Sequence, residues 1–218
     1  MRYGSLSIFS NWQARSSLQD FASQNDLFVL AGIDTRTLAV HIRQKGEMLG
    51  VISAGCTQAK ELSARLDAYR ARSADSQLLS ISTGQIVHHN KAGSKKIKIA
   101  VLDIGLTSRL LRQLQLLNIN LSVLPYNTKP EDILKLKASG LIISSGPEED
   151  PGLEIVTDNV RGLIGKLPMM GISAGHQVIA RALGAKIVKL KLGHRGVNYP
   201  IHNPGSPKGD ITVQNHSQ

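Results

Sequence analysis

The segment Met169-Met170-Gly171-Ile172-Ser173-Ala174-Gly175-His176 decides how the chain reads. Met169 to Ile172 is a short apolar run suited to a buried parallel strand, and Ala174 to Leu183 has the spacing of a helix. Between them, Gly171-Ile172-Ser173-Ala174-Gly175 fits G-x-S-x-G, the pattern of a strand turning sharply into a helix. The flanking glycines let the backbones approach closely. The middle side chain is thereby exposed at a helix N-terminus, where partial positive charge favours an anion. Backbone N–H groups just after it can face a developing oxyanion. On the residues alone, a nucleophile (or its vestige) and a tight structural turn are both open readings.

Working outward, helix and strand patterns alternate. Toward the N-terminus come a helix at Leu153 to Lys166, a strand at Gly140 to Ile143 and a helix at Lys129 to Lys137. Before these lie a strand at Leu121 to Leu124, a helix at Thr107 to Leu117 and an apolar strand at Ile97 to Leu102. Leu110, Leu111, Leu114 and Leu117 should face inward from their helix. Lys186 to Leu190 and Ile211 to Gln214 read as later, shorter strands. This order predicts an α/β fold with a doubly wound parallel sheet. Ligands in such sheets bind at the carboxyl ends of the strands. Two segments fall there: Ser144-Ser145-Gly146-Pro147 and Ile172 to His176.

Residues 83–96 are small, polar and basic without periodicity, and read as a linker. The expected organisation is a smaller, incomplete mixed α/β domain at 1–82, the linker at 83–96, and the α/β domain at 97–218. In the first domain, Ser17 and Asp34 are in helix N-cap positions, and Gly46 ends the second helix. Val51-Ile52-Ser53 reads as a short strand and Lys60 to Arg72 as a helix.

Composition narrows the function classes. The chain has 218 residues, 41% hydrophobic, with no apolar run long enough to span a bilayer and no signal-peptide pattern, so a cytoplasmic protein without membrane association is expected. A single cysteine, Cys56, excludes an internal disulfide and a cysteine-based zinc site, and the seven histidines lack metal-ligand spacing. Cys56 reads as a bystander. The net charge of +10 favours acidic partners. Its basic residues are dispersed and lack interleaved aromatics, so they read as a solvated surface and not a nucleic-acid site.

Gly171-Ile172-Ser173-Ala174-Gly175-His176-Gln177 resembles the G-I-C-L-G-H-Q signature of class I glutamine amidotransferases, with serine at the cysteine position. Other landmarks are similar to the carbamoyl-phosphate synthase small subunit in particular. They are Ser10-Asn11-Trp12, Ile33-Asp34-Thr35-Arg36, Val101-Leu102-Asp103-Ile104-Gly105, Ser144 to Pro151, Gly193 to Pro200 (G-H-R-G-x-N-x-P) and Gln214-Asn215-His216. They fall in family order over nearly the whole chain. The resemblance implies a subunit that releases ammonia from L-glutamine through a glutamyl thioester. It passes the ammonia to a large partner subunit that makes carbamoyl phosphate, a ligase reaction serving arginine and pyrimidine biosynthesis. No cofactor is implied in this subunit, since ATP and Mg belong to the large one. Position by position, it implies Ser173 at the nucleophile, and Gly146, Glu148, Ala174, Gln177, Asn215 and Ser217 at glutamine-binding or oxyanion positions.

The sequence departs from the family in four ways. Ser173 replaces a thiol, and an alcohol is far less acidic. Glu148 or Glu149 stands at the second glycine of G-P-G-D-P, where a carboxylate repels an oxyanion. Ser217 and Gln218 replace glycine and phenylalanine. The family's H-P-E segment, with its catalytic histidine and glutamate, lies beyond Gln218, and the chain begins partway into the family's first domain. Impaired catalysis is therefore expected, and a non-catalytic relative that binds the large subunit is the alternative. A serine hydrolase using Asp210 and His216 is a third reading. His176 follows Ser173 by three residues and could share its face, although the family does not use it as the proton shuttle.

Overall fold

Two capped helices come first among the described residues. The computed structural model describes residues 10–53, 55, 58–72, 75–89, 97–202, 205 and 207–218; Cys56 and residues 90–96 of the expected linker lie outside these. Helix α1, Leu18–Gln24, starts where Ser17 Oγ accepts the Asp20 N–H at 3.0 Å. Helix α2, Thr35–Lys45, starts where Asp34 accepts the Thr37 N–H at 2.9 Å and its hydroxyl at 2.8 Å. Those two bonds hold the Asp34 carboxyl below its ordinary pKa, the backbone bond contributing most. Gly46 ends α2 at φ 91°. Val51-Ile52-Ser53 forms no strand, contrary to the sequence expectation. No strand is described near it in sequence, and a lone three-residue strand leaves its backbone groups unpaired.

By its internal contacts the chain divides into residues 1–62 and 63–218, with helix α3, Ala59–Arg72, running across the division. Among the described residues of the first unit only Ser17, Ala22 and Gly46 are buried.

The second unit is built on a five-stranded sheet. Its strands are β1 (Val87–His89), β2 (Lys98–Asp103), β3 (Asn120–Pro125), β4 (Gly140–Ile143) and β5 (Met169–Gly171), in the order β1-β3-β2-β4-β5. β3, β2, β4 and β5 are mutually parallel, as expected, and β1 adds an antiparallel edge along β3. β1 lies within the stretch read as a linker. Three residues without apolar periodicity gave no signal for it.

Alternation along the strands sends side chains to two cores. Ala100, Leu102, Leu124, Leu141 and Ile143 face one side, meeting Ile133 of α6 (Pro130–Lys135), Val156 and Val160 of α7 (Leu153–Arg161), and Val178 of α8 (Ala174–Ala182). Val101, Leu121 and Val123 face the other, meeting Leu110, Leu111 and Leu114 of α5 (Ser108–Leu116). Helices thus cover both faces, the doubly wound arrangement. Leu117, expected inward, is half exposed because α5 ends at Leu116 and the chain turns extended at its C-cap.

Two buried carboxylates tie residues 76–83 to this sheet. Asp150 accepts from Ser76 Oγ (2.6 Å), Gln77 N (2.6 Å) and Gly152 N (2.8 Å). This seats Leu78 of α4 (Leu78–Ile81) fully in the first core. Asp103 accepts from Thr83 N, Gly105 N and Leu106 N at 2.7–2.9 Å.

Lys186 to Leu190 is not a strand. The chain instead forms a two-stranded antiparallel hairpin of β6, His194–His202, and β7, Gly209–His216. β6 escaped the sequence reading because Arg195, Gly196, Asn198 and Pro200 interrupt any alternation.

Replacing Asp150 with alanine strands three donors. We expect Asp150→Ala to lower unfolding stability by about 2–4 kcal/mol, measured by urea titration, with the Gln77 amide exchanging faster than in the parent. Unchanged stability would contradict this role.

Candidate functional site at the strand-to-helix elbow

Ser173 sits between β5 and α8 with φ 53° and ψ −115°, a left-handed backbone rarely adopted by a residue with a side chain. This is the strained turn that G-x-S-x-G predicts. The two glycines have steric causes. A Cβ on Gly171 would strike the backbone of Gly175 and His176. One on Gly175 would lie 2.6 Å from the Ser144 carbonyl oxygen and closer still to that of Ile143. Helix α8 is thus pressed backbone to backbone onto the end of β4. Ser173 is left exposed at its N-cap position, and its hydroxyl caps no N–H of the helix.

Gly146 follows the same logic on the neighbouring loop. Its added Cβ would overlap the Ile104 carbonyl, and one on Gly105 (φ 129°) would meet Gly146 Cα and the Ser145 oxygen at 3.0 Å. The loops after β2 and β4 therefore touch through glycine.

A cleft of about 410 Å³ opens beside the elbow. Of the residues named from sequence, Ser173, Glu148, Gln177 and Asn215 line it. Ala174 is buried as the first residue of α8, and its N–H has no acceptor within the helix. Gly146 and Ser217 do not line the cleft. Ser217 is buried behind it, donating its N–H to Glu148 Oε2 at 2.8 Å and bonding through Oγ to Arg195 Nη2 at 2.7 Å. Asn215 Oδ1 accepts from Arg195 Nη1 at 2.8 Å. Of the two glutamates, Glu148 enters the cleft, whereas Glu149 pairs with Lys189 at 2.6 Å.

Gln177 is not a solvated first-turn residue. It is about nine-tenths buried, and its Oε1 has no partner. His176 lines the cleft beside Ser173 and is exposed. Sequence reasoning missed Ile187, Val213 and Gln214 as lining residues. Ile187 lay in a segment expected as a strand, and the hairpin's docking beside α8 leaves no local sequence signal.

The hairpin end carries a defined proton arrangement. Thr212 Oγ1 donates to the Tyr199 carbonyl at 3.1 Å, so it accepts from Gln214 Nε2 at 3.2 Å. Gln214 Oε1 then faces His194 Nδ1 (2.7 Å) and His216 Nε2 (3.1 Å), and both nitrogens must donate. His216 Nδ1 is buried and has no hydrogen-bond partner. His194 also stacks on Tyr199 with ring centroids 4.5 Å apart. The serine-hydrolase reading fails here. Asp210 pairs with Ile201 and His216 with His194, at opposite ends of the hairpin, about 20 Å apart at about 3.4 Å per residue.

Residues 100–218 match the class-I glutamine amidotransferase family. Residues 5–52 match the carbamoyl-phosphate synthase small chain, CPSase domain. The first match covers more than half of the chain, which belongs to the class-I glutamine amidotransferases. Within that family it is a homologue of carbamoyl phosphate synthase small chains. The protein of that name from Listeria innocua is 35% identical over 207 residues, covering 95% of this chain and 56% of its own length. That from Syntrophotalea carbinolica is 32% identical over 224 residues, covering 95% and 58%. The chain thus spans a little over half the length of the curated relatives it matches. The crystal structure of a putative GMP synthase protein from Thermoplasma acidophilum aligns at TM-score 0.43 and 26% identity, covering 56% of this chain and 65% of that one. It adds no weight to the assignment. No helix among the described residues is long and apolar enough to cross a membrane.

A thiol placed at the elbow would feel the N-terminus of α8. With Cys56→Ser removing the other thiol, Ser173→Cys should react with iodoacetamide at pH 7 several-fold faster than a free cysteine, of ordinary pKa about 8.5. A rate equal to or below that of the free amino acid would contradict the elbow's electrostatics.

Proposed function

We propose that the chain acts as the small subunit of a glutamine-hydrolysing carbamoyl phosphate synthase. Its class role is to deliver ammonia from L-glutamine to a large subunit in the cytoplasm, for arginine and pyrimidine biosynthesis. ATP and magnesium act on the large subunit, and this one needs no cofactor. Catalysis in this chain is impaired. The observation that supports this most directly is the company Ser173 keeps. The residue sits in the strained elbow of a nucleophile but offers an alcohol, and the same cleft holds the Glu148 carboxylate. An alcohol needs a strong, well-placed base to attack an amide. A carboxylate in the cleft opposes the negative charge that builds on the amide oxygen.

The same two residues favour a second reading, in which the chain is a non-catalytic relative that binds the large subunit. Gly146, Ala174, Gln177, Asn215 and Ser217 then retain the form of a glutamine site without its turnover.

One preparation tests both parts. The chain is co-expressed with a relative's large subunit, resolved by size exclusion, and assayed for ammonia release from glutamine. We expect one shared peak and release no faster than the buffer blank. Separate elution would contradict the subunit role, and robust release would contradict impairment.

A further inference from the structure

Arg195 and Asn215 stand directly opposite one another on the β6–β7 hairpin, and Arg195 Nη1 donates to Asn215 Oδ1 at 2.8 Å. The other arm of the guanidinium, Nη2, donates to Oγ of the buried Ser217 at 2.7 Å. Ser217 follows β7 by one residue, and positions two apart along a strand share a face, so one planar fork holds both side chains. The Arg195 backbone is anchored too, its N–H donating to the Tyr199 hydroxyl at 3.2 Å. Asn215 lines the cleft and Arg195 does not. A guanidinium has donors only, so the Asn215 atom that it meets has to be the amide oxygen. Turning the amide over would set its NH2 group against the guanidinium, donor against donor, and lose a charge-assisted bond. The oxygen is thus engaged, and the NH2 group is what Asn215 retains for an occupant of the cleft. The same lining includes two acceptors, the Glu148 carboxylate and the unpartnered Gln177 Oε1. A donor at Asn215 therefore widens what the cleft can recognise.

Resting on the glutamine reading of this cleft, we propose that Arg195 is a positioning residue for the ligand. It acts through Asn215, locking the amide so that its NH2 group meets an oxygen of the ligand. Glutamine carries such oxygens on both its carboxylate and its side-chain amide. The positive charge one hydrogen bond behind Asn215 also polarises the amide and strengthens its N–H groups as donors. Without Arg195 the amide turns over at little cost and presents its carbonyl as readily as its NH2 group, which weakens its hold on a ligand oxygen.

Glutamine dissociation constants for the 218-residue chain and its variants, measured by calorimetry and ligand-observed NMR, provide the test. Asn215→Asp keeps an oxygen for Arg195 but removes the N–H donor, so we expect glutamine affinity to fall at least about tenfold. A purely structural pair would survive that change as a cross-strand ion pair and leave the affinity unchanged. Arg195→Met should weaken binding at least about fivefold in the parent chain but less than about twofold in an Asn215→Ala background, because the two residues act as one unit. Unchanged or tighter binding by Asn215→Asp overturns the proposal while leaving the glutamine reading intact. An Arg195→Met loss that persists in full without Asn215 does the same. Failure of the parent chain to bind glutamine overturns both.

Discussion

Helix α8 lies so close to the end of β4 that no side chain fits between them. The Gly175 backbone rests on the Ile143 and Ser144 carbonyls, and Gly171 rests on Gly175 and His176. This approach forces Ser173 into its left-handed conformation and leaves it exposed, beside the Ala174 N–H that has no acceptor within the helix. The core supports the geometry from beneath. Ala174 and Val178 pack against the sheet face formed by Leu141 and Ile143, so moving the elbow would open a cavity. The sheet therefore positions the site through backbone contact, and the side-chain chemistry is free to vary above it.

That freedom shows in the cleft. Residues of β7 form another wall, and the segments flanking the β6–β7 hairpin are tied to the α/β body by polar contacts: Glu148 to Ser217, Glu149 to Lys189, and Arg181 to Gln218. Glu148 thus serves as both an anchor and a charged wall. Exposed ion pairs such as Glu149–Lys189 contribute little, so the buried Ser217 contact carries most of the fixing.

The sequence was most legible where one residue type answers one steric demand. Gly171 and Gly175 predicted the elbow because only glycine survives that approach, and Asp34 and Ser17 predicted helix starts because a cap needs one acceptor. Apolar runs in β2 and β4 were equally plain. Signals failed where partners are distant in sequence. Val51–Ser53 looked like a strand without a partner, β1 is paired by β3 from afar, and Leu117 lies past the end of its helix. The cleft was half visible: motif resemblance placed Ser173, Glu148, Gln177 and Asn215, but Ile187, Val213 and Gln214 enter only through hairpin docking. The buried, unpartnered Gln177 Oε1 could not be read from sequence, since burial of a first-turn residue depends on what covers it.

Backbone approach at Gly175, and not glycine flexibility, builds the site. Gly184 is the fitting comparison, with a positive φ of 91° but no atom within 4 Å of an added Cβ. Urea unfolding of Gly175→Ala and Gly184→Ala measures the difference. Gly184→Ala should cost about 1–2 kcal/mol from its left-handed backbone alone. Gly175→Ala should cost about 3 kcal/mol or more from steric overlap. Equal costs at the two positions would contradict the account.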